Sequence, residues 1–486
     1  MNSELNDIAL IGLGTMGRSL VLNMADKGFT VAAFNRTRSV TEEFAARLLP
    51  SQRVTPYYSP EELLASLRPP RRVMLMVDAG QAVDAVLAGL EPLLQAGDIV
   101  MDGGNSYFKD TDRRAAALAA AGVRYLGVGI SGGESGARHG PSMMPGGPRE
   151  AYEAVRPIFE SVAARADGAP CVTYLGPGSA GHYVKMVHNG IEYGLMQLIS
   201  ESYALLKLVL GLDNDRLAQI YAEWHAGDLE SYLLEITAAI FGRRDDRTPG
   251  FLIDAILGEA AQKGTGMWTS QNAMDLHVPV PNIDIAVSMR NLSGLDDQRA
   301  AARQAAGTAA PGAARPGATV ASPLSGSAAP APGLTVDAVR DALHAATILT
   351  YIQGFAQLQQ ASVAQDYQLA LHDVASIWRG GCIIRSALLR HIRAAFQRQP
   401  GLPNLLLDSE LSGQVTPRRS ALAAAAQAGM AARIPVPGLS TALSYLDGYL
   451  AGWLPTNLIQ AQRDYFGAHT YRRLDVDGVF HTEWSA

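Results

Sequence analysis

Ile8-Ala9-Leu10-Ile11-Gly12-Leu13-Gly14-Thr15-Met16-Gly17 decides the fold of this chain. A short apolar run breaks into glycine, and residues 16–27 continue with helical spacing through Leu20 and Met24. A second apolar run, Thr30-Val31-Ala32-Ala33-Phe34, follows directly, so the segment reads as strand, helix, strand. In that setting the three glycines form a dinucleotide fingerprint. Gly12 and Gly14 permit the tight turn and the close approach of a pyrophosphate, whose charge meets the helix N-terminus. Cofactor contacts are expected from Gly12, Leu13, Gly14, Thr15, Met16 and Gly17. At the end of the second strand, where an NAD site places an acid for the ribose 2′-hydroxyl, this chain has Asn35-Arg36-Thr37. With no carboxylate and an arginine present, a 2′-phosphate is favoured, and NADP is preferred over NAD. A solvated surface arginine is the competing reading.

Further strand-like runs at 72–77, 98–101 and 124–128, each followed by a helical or glycine-rich segment, predict a parallel, doubly wound sheet over roughly the first 175 residues. From 180 onward, Ala/Leu-rich stretches with helical periodicity take over at 186–210, 216–240, 336–360, 369–396, 421–429 and 441–451. The expected architecture is an α/β Rossmann-type N-terminal domain (1–178), a large all-α domain (179–470) and a short C-terminal tail (471–486). Residues 307–333, rich in Ala, Pro, Gly and Ser, cannot bury enough surface to offset their ordering entropy and read as a mobile insertion. The tail carries Phe480, His481 and Trp484, which need cover from a partner subunit or from the same chain.

At 486 residues the chain is too long for one compact core. Its 48% hydrophobic and 18% charged residues are those of an ordinary globular protein, and no run of about 18 apolar residues suggests a membrane span. A net charge of −6 argues against a non-specific nucleic-acid surface, so an anionic ligand needs a few local cations. Two cysteines, Cys171 and Cys382, are too few for a disulfide framework or a thiolate metal site, and a cytoplasmic location with no required metal is expected.

The chemistry-bearing segment is Lys185-Met186-Val187-His188-Asn189-Gly190-Ile191-Glu192-Tyr193-Gly194. Lys185, His188, Asn189 and Glu192 sit at offsets 0, +3, +4 and +7, one stripe of a helix. Such a stripe normally seats a helix on its core, and a polar one needs a ligand or a chemical task if it is buried. Two glycine-rich turns, Met101-Asp102-Gly103-Gly104-Asn105-Ser106 and Ser131-Gly132-Gly133-Glu134, close strands where a doubly wound fold binds ligands, with Asn105 and Ser131 as side-chain donors. Lys263, Arg290, Arg463 and His469 are the cations that as a set can hold a phosphate or carboxylate.

These motifs resemble the long, NADP-dependent, decarboxylating 6-phosphogluconate dehydrogenases. Matching stretches occur in order at 12–37, 79–84, 102–106, 131–141, 181–193, 262–266, 378–385, 454–471 and 481–484, nearly the whole chain. The resemblance implies oxidation of 6-phosphogluconate by NADP, loss of CO₂ and release of ribulose 5-phosphate. It implies Lys185 as proton acceptor and Glu192 as proton donor. It adds Val77, Asp78, Ala79 and Asn105 to the cofactor contacts, and gives Asn105, Ser131, Gly132, Gly133, His188, Asn189, Tyr193, Lys263 and Arg290 to the substrate. Arg463 and His469 would come from the neighbouring subunit of a homodimer. Asp78 departs from the lysine found in many members, and an acid there is expected to weaken or reorient the cofactor contact. The alternatives are a related β-hydroxyacid dehydrogenase acting on another acid and a catalytically silent NADP-binding protein.

Overall fold

The computed structural model describes residues 5–307 and 334–484. The apolar run Ile8–Ile11 forms a fully buried central strand, β1. It pairs in parallel with β2 (Val31–Phe34) on one side and β4 (Arg72–Leu75) on the other. With β3 (Val54–Pro56), β5 (Ile99–Asp102), β6 (Arg124–Ser131) and β7 (Ser142–Gly146) the sheet runs β3-β2-β1-β4-β5-β6-β7. All pairings are parallel except β6 with β7, which is antiparallel. The parallel sheet is therefore as expected, with β3 and the reversed edge strand β7 added. The chain reverses strand order between β1 and β4, so the ligand crevice opens above their C-terminal ends. Helices cover both faces, which explains why the strands read as unbroken apolar runs rather than alternating ones.

Helix α1 (Thr15–Asp26) begins inside the fingerprint. Gly12, at φ +106, is required twice over: a Cβ there would stand 2.3 Å from the Met76 carbonyl oxygen. The third glycine lets α1 pack on its own turn, since a Cβ on Gly17 would meet the Gly12 oxygen at 1.9 Å. Gly14 has open space before it, the room a pyrophosphate needs.

The second half is helical. Its axis is α2 (Ala180–Ala204), packed against α3 (Thr265–Asp275), α4 (Pro281–Ser293) and α5 (Val336–Ala364). The first turns of α2 lie directly on β6 and β7. A Cβ on Gly181 would meet the Gly127 and Met144 oxygens at 2.2 Å, and one on Gly129 would meet the Lys185 Cβ at 2.3 Å. Two expected helical stretches are broken. The stretch 216–240 divides into Asn214–His225 and Tyr232–Gly242, where Ser231 accepts the Leu234 amide and restarts the helix. The stretch 369–396 divides into Leu371–Ile377 and Leu388–Arg398, because Gly381 takes φ +62 and the loop between them turns toward the sheet.

Asp296–Ala305 is an exposed helix; the expected insertion at 307–333 lies outside the described residues from 308 onward. The chain ends in an arm. Helix α6 (Thr456–Gly467) is followed by a hairpin closed by paired Tyr471 and Phe480 backbone bonds at 2.8 Å. Buried Asp464 receives the Thr470 and Thr482 amides, the His481 ring and the Trp484 indole N–H, tying the tail to α6 of its own chain. Burial opposes a charge there, but these hydrogen bonds outweigh it and hold the Asp464 carboxyl down at about 2. Leu458, Ile459, Phe466 and Leu474 remain exposed.

Candidate active site

A cleft of about 900 Å³ opens at the C-terminal ends of β1, β2, β4 and β5. Gly12, Gly14, Met16, Asn35, Arg36, Thr37, Val77, Asp78, Ala79, Asn105 and Lys263 all line it. Leu13, Thr15 and Gly17 do not. The Leu13 side chain is buried, and its amide donates to Asn35 Oδ1 at 3.0 Å, so it fastens the turn to the end of β2. Thr15 faces an adjoining hollow, and Gly17 is a packing glycine. Arg36 and Lys263 form no ion pair or hydrogen bond among the described residues, which leaves two free cations on a cleft of the size a dinucleotide needs. Asp78 is an exposed carboxylate on the same wall.

Beside the cleft the polar stripe is buried. Lys185 is 6% exposed and His188 is inaccessible, while Glu192 is partly open. Lys185 Nζ donates to Asn189 Oδ1 at 2.6 Å. The edge of His188 sits between the amine and the acid, with Nδ1 3.4 Å from Lys185 Nζ and 3.7 Å from Glu192 Oε2. Burial lowers the Lys185 pKa from its usual value, partly offset by the charge of Glu192. Burial raises that of Glu192, partly offset by Lys185 and Arg290. His188 is pushed well down, first by burial and then by Lys185, and is neutral. An amine inclined to lose its proton and an acid inclined to keep one thus flank one imidazole, an arrangement suited to a base and an acid acting in sequence.

The Ser131 turn closes this pocket, with Ser131 Oγ 3.1 Å from His188 Nε2. Gly132 and Gly133 follow at φ +119 and +62, and a Cβ on Gly132 would strike the Gly381 oxygen at 2.6 Å. On the opposite side the Arg290 guanidinium lies 3.6 Å over the Tyr193 ring and donates to the Ala261 oxygen, next to Lys263. Arg463 and His469 are exposed on the arm, away from the cleft lining of their own chain.

Several supporting residues escaped sequence reasoning. Buried Asp102 accepts from Ser106 Oγ at 2.6 Å, the Gly104 amide at 3.0 Å and the Tyr125 hydroxyl at 3.0 Å, and so shapes the turn that carries Asn105. Arg114 joins that turn to the one after β4 through Ser106 and the Gly80 oxygen. His182, a turn before Lys185, approaches the Asp102 oxygen at 3.0 Å and Thr111 Oγ1 at 2.6 Å. Cys382, on the unexpected loop, reaches His188. His182 was findable, because its offset of −3 from Lys185 extends the stripe. Among the described residues no group of three or more His, Cys, Asp or Glu is placed to hold a metal, and no helix is long and apolar enough to cross a membrane.

Fold and site together define a dinucleotide-dependent dehydrogenase that pairs a lysine with a glutamic acid. Residues 7–176 match a family model described as the NAD binding domain of 6-phosphogluconate dehydrogenase, and 181–484 match the 6-phosphogluconate dehydrogenase C-terminal domain. The chain is 50% identical to the NADP(+)-dependent, decarboxylating 6-phosphogluconate dehydrogenase of Bacillus subtilis, covering 98% of each chain. It is 48% identical to the decarboxylating enzyme of Escherichia coli, again over 98% of each. A solved structure of Plasmodium falciparum 6-phosphogluconate dehydrogenase, described in apo form and with NADP+ and 6-phosphogluconate, superposes with a TM-score of 0.90 at 41% identity, covering 98% of this chain and 100% of that one. This chain belongs to the 6-phosphogluconate dehydrogenase family.

Proposed function

We propose that the cleft oxidises and decarboxylates 6-phosphogluconate to ribulose 5-phosphate and CO₂, with NADP as the oxidant and with Lys185 and Glu192 carrying the protons. The observation that carries this reading is the buried stripe, in which the lysine is driven toward neutrality and the glutamic acid toward protonation. NADP, when bound, supplies the hydride acceptor; Gly14 and the free Arg36 suit its pyrophosphate and 2′-phosphate.

Neutral Lys185 takes the proton of the 3-hydroxyl as hydride leaves C3. The resulting ammonium polarises the 3-keto oxygen, which accepts the electrons released when the C1 carboxylate departs as CO₂. Glu192 then protonates the former C2 of the enediol, which becomes C1 of the product. Asn105, Ser131, Gly132, Gly133, His188, Asn189 and Tyr193 hold the sugar acid, and Lys263 and Arg290 meet its charge. Arg463 and His469 complete the site from a second copy of the chain. Their distance from their own cleft and the exposed apolar residues of the arm support a homodimer in which the tail, anchored to α6, rides onto the partner. Two free, buried cysteines suit a cytoplasmic enzyme.

Following NADPH formation spectrophotometrically with 6-phosphogluconate, with CO₂ captured in parallel, tests the reaction. Equimolar NADPH and CO₂ are expected. Equal turnover of gluconate would indicate a different β-hydroxyacid dehydrogenase, and tight NADP binding without reduction would indicate a silent relative.

A further inference from the structure

We propose that Cys382 is a positioning residue that, with Ser131, holds His188 as the tautomer protonated on Nδ1 and turns that N–H toward the substrate side of the pocket. The loop 378–387 interrupts what the sequence reads as one helix, and its route is specific. It lays Gly381 against the Ser131 turn, Trp378 against the His188 ring at 5.6 Å and 77°, and Cys382 Sγ 2.8 Å from His188 Nε2. Cys382 and His188 are both inaccessible to solvent.

The two nitrogens of His188 face different partners. Around Nε2 lie Cys382 Sγ and Ser131 Oγ, both of which carry a proton to give. Burial pushes the Cys382 thiol up to about 12, so it remains S–H. Ser131 Oγ already accepts the Ile383 amide at 3.3 Å, which leaves its own proton for the imidazole. Around Nδ1 lie two oxygens, Asn189 Oδ1 at 3.0 Å and Glu192 Oε2 at 3.7 Å. Donors on one side and acceptors on the other select the Nδ1–H form. The consequence concerns Lys185, 3.4 Å from Nδ1. With its proton on Nδ1, His188 offers no acceptor to the Lys185 ammonium, and the neutral amine that takes the proton of the substrate hydroxyl is favoured. The opposite tautomer would accept an N–H from the ammonium, stabilise its charge and point the imidazole's own donor into the core.

This inference rests on the placing of His188 in the substrate pocket, and its test is read separately from turnover. In protein labelled with ¹⁵N-histidine and assigned with His188→Gln, nitrogen shifts distinguish a protonated from an unprotonated ring nitrogen. Unprotonated Nε2 is expected in the wild type and in Cys382→Ser, which keeps a donor, and a mixture in Cys382→Ala. With kinetics on the same dimers, Cys382→Ala is expected to lower kcat roughly tenfold while NADP affinity stays within about twofold, and Cys382→Ser is expected to restore most of the loss, the scale of one buried hydrogen bond. A wild-type His188 protonated on Nε2 would overturn the proposal. So would a serine variant as slow as the alanine one, or an alanine variant with unchanged tautomer and kcat. Should Cys382→Ala not fold, the wild-type and serine spectra decide.

Discussion

At the scale of single residues, burial moves the pKa values of two groups a short distance apart in opposite senses. Desolvation disfavours the ammonium of Lys185 and the carboxylate of Glu192 alike, lowering one pKa and raising the other, which suits the proposed roles of base and acid. A pH profile follows with a definite sign. Lys185 must be neutral, so turnover rises as pH passes its lowered pKa. Glu192 must be protonated, so turnover falls as pH passes its raised pKa. The two limbs belong to the coupled pair. Glu192→Gln cannot deliver a proton; kcat is expected to fall roughly 10²–10⁴-fold and the alkaline limb to flatten. A glutamine variant that kept the alkaline limb of the wild type would assign that limb to another group. Asp78 acts through charge. As an acid on the cofactor wall with no ion pair among the described residues, it opposes a polyanion, and Asp78→Asn is expected to tighten NADP by about two- to fivefold, the size of a solvent-screened charge contact, as measured by titration calorimetry.

At the scale of elements, α2 rides closely on the sheet. The contact of Gly129 with the Lys185 Cβ leaves no space for a methyl group. Gly129→Ala is expected to cost roughly 1–3 kcal/mol in thermal or denaturant unfolding, and to lower kcat more than that stability loss explains, because the displaced segment carries the proposed base. If the variant unfolds early but turns over normally when folded, the packing of α2 does not set the geometry. The same elements show what could be read in advance. The first strand, its glycines and the polar stripe depend on neighbours within a few residues, and these were legible. Residues 369–396 carry helical periodicity at both ends, and the middle leaves the helix at Gly381 to meet Ser131 and Ser142, both far away in sequence. Asp102 looked like part of a glycine turn, since its partners Tyr125 and Arg114 come from elements that the fold alone brings near. Edge strand β7 shows no alternation because it is buried throughout.

At the scale of the whole molecule, one chain supplies the cleft and the proposed proton-transfer pair, while Arg463 and His469 do not line that cleft. A shared site has a simple signature in mixed dimers. Lys185→Ala and Arg463→Ala variants, each nearly inactive alone, are expected to recover about a quarter of wild-type activity when unfolded and refolded together, because half of the dimers are mixed and each holds one intact site. No recovery, with mixed dimers shown to form, would place each arm on its own chain. Removal of the hydroxyl proton, which lets hydride leave, is the step proposed for the buried amine on α2. Single-turnover reduction of NADP by 6-phosphogluconate in the Lys185→Ala enzyme tests it most directly, since the step read is the oxidation itself. The expected result is unaltered folding and NADP binding with a hydride-transfer rate lower by roughly 10²–10⁴-fold. A variant that reduced NADP at close to the wild-type rate would contradict the assignment of Lys185 as the base.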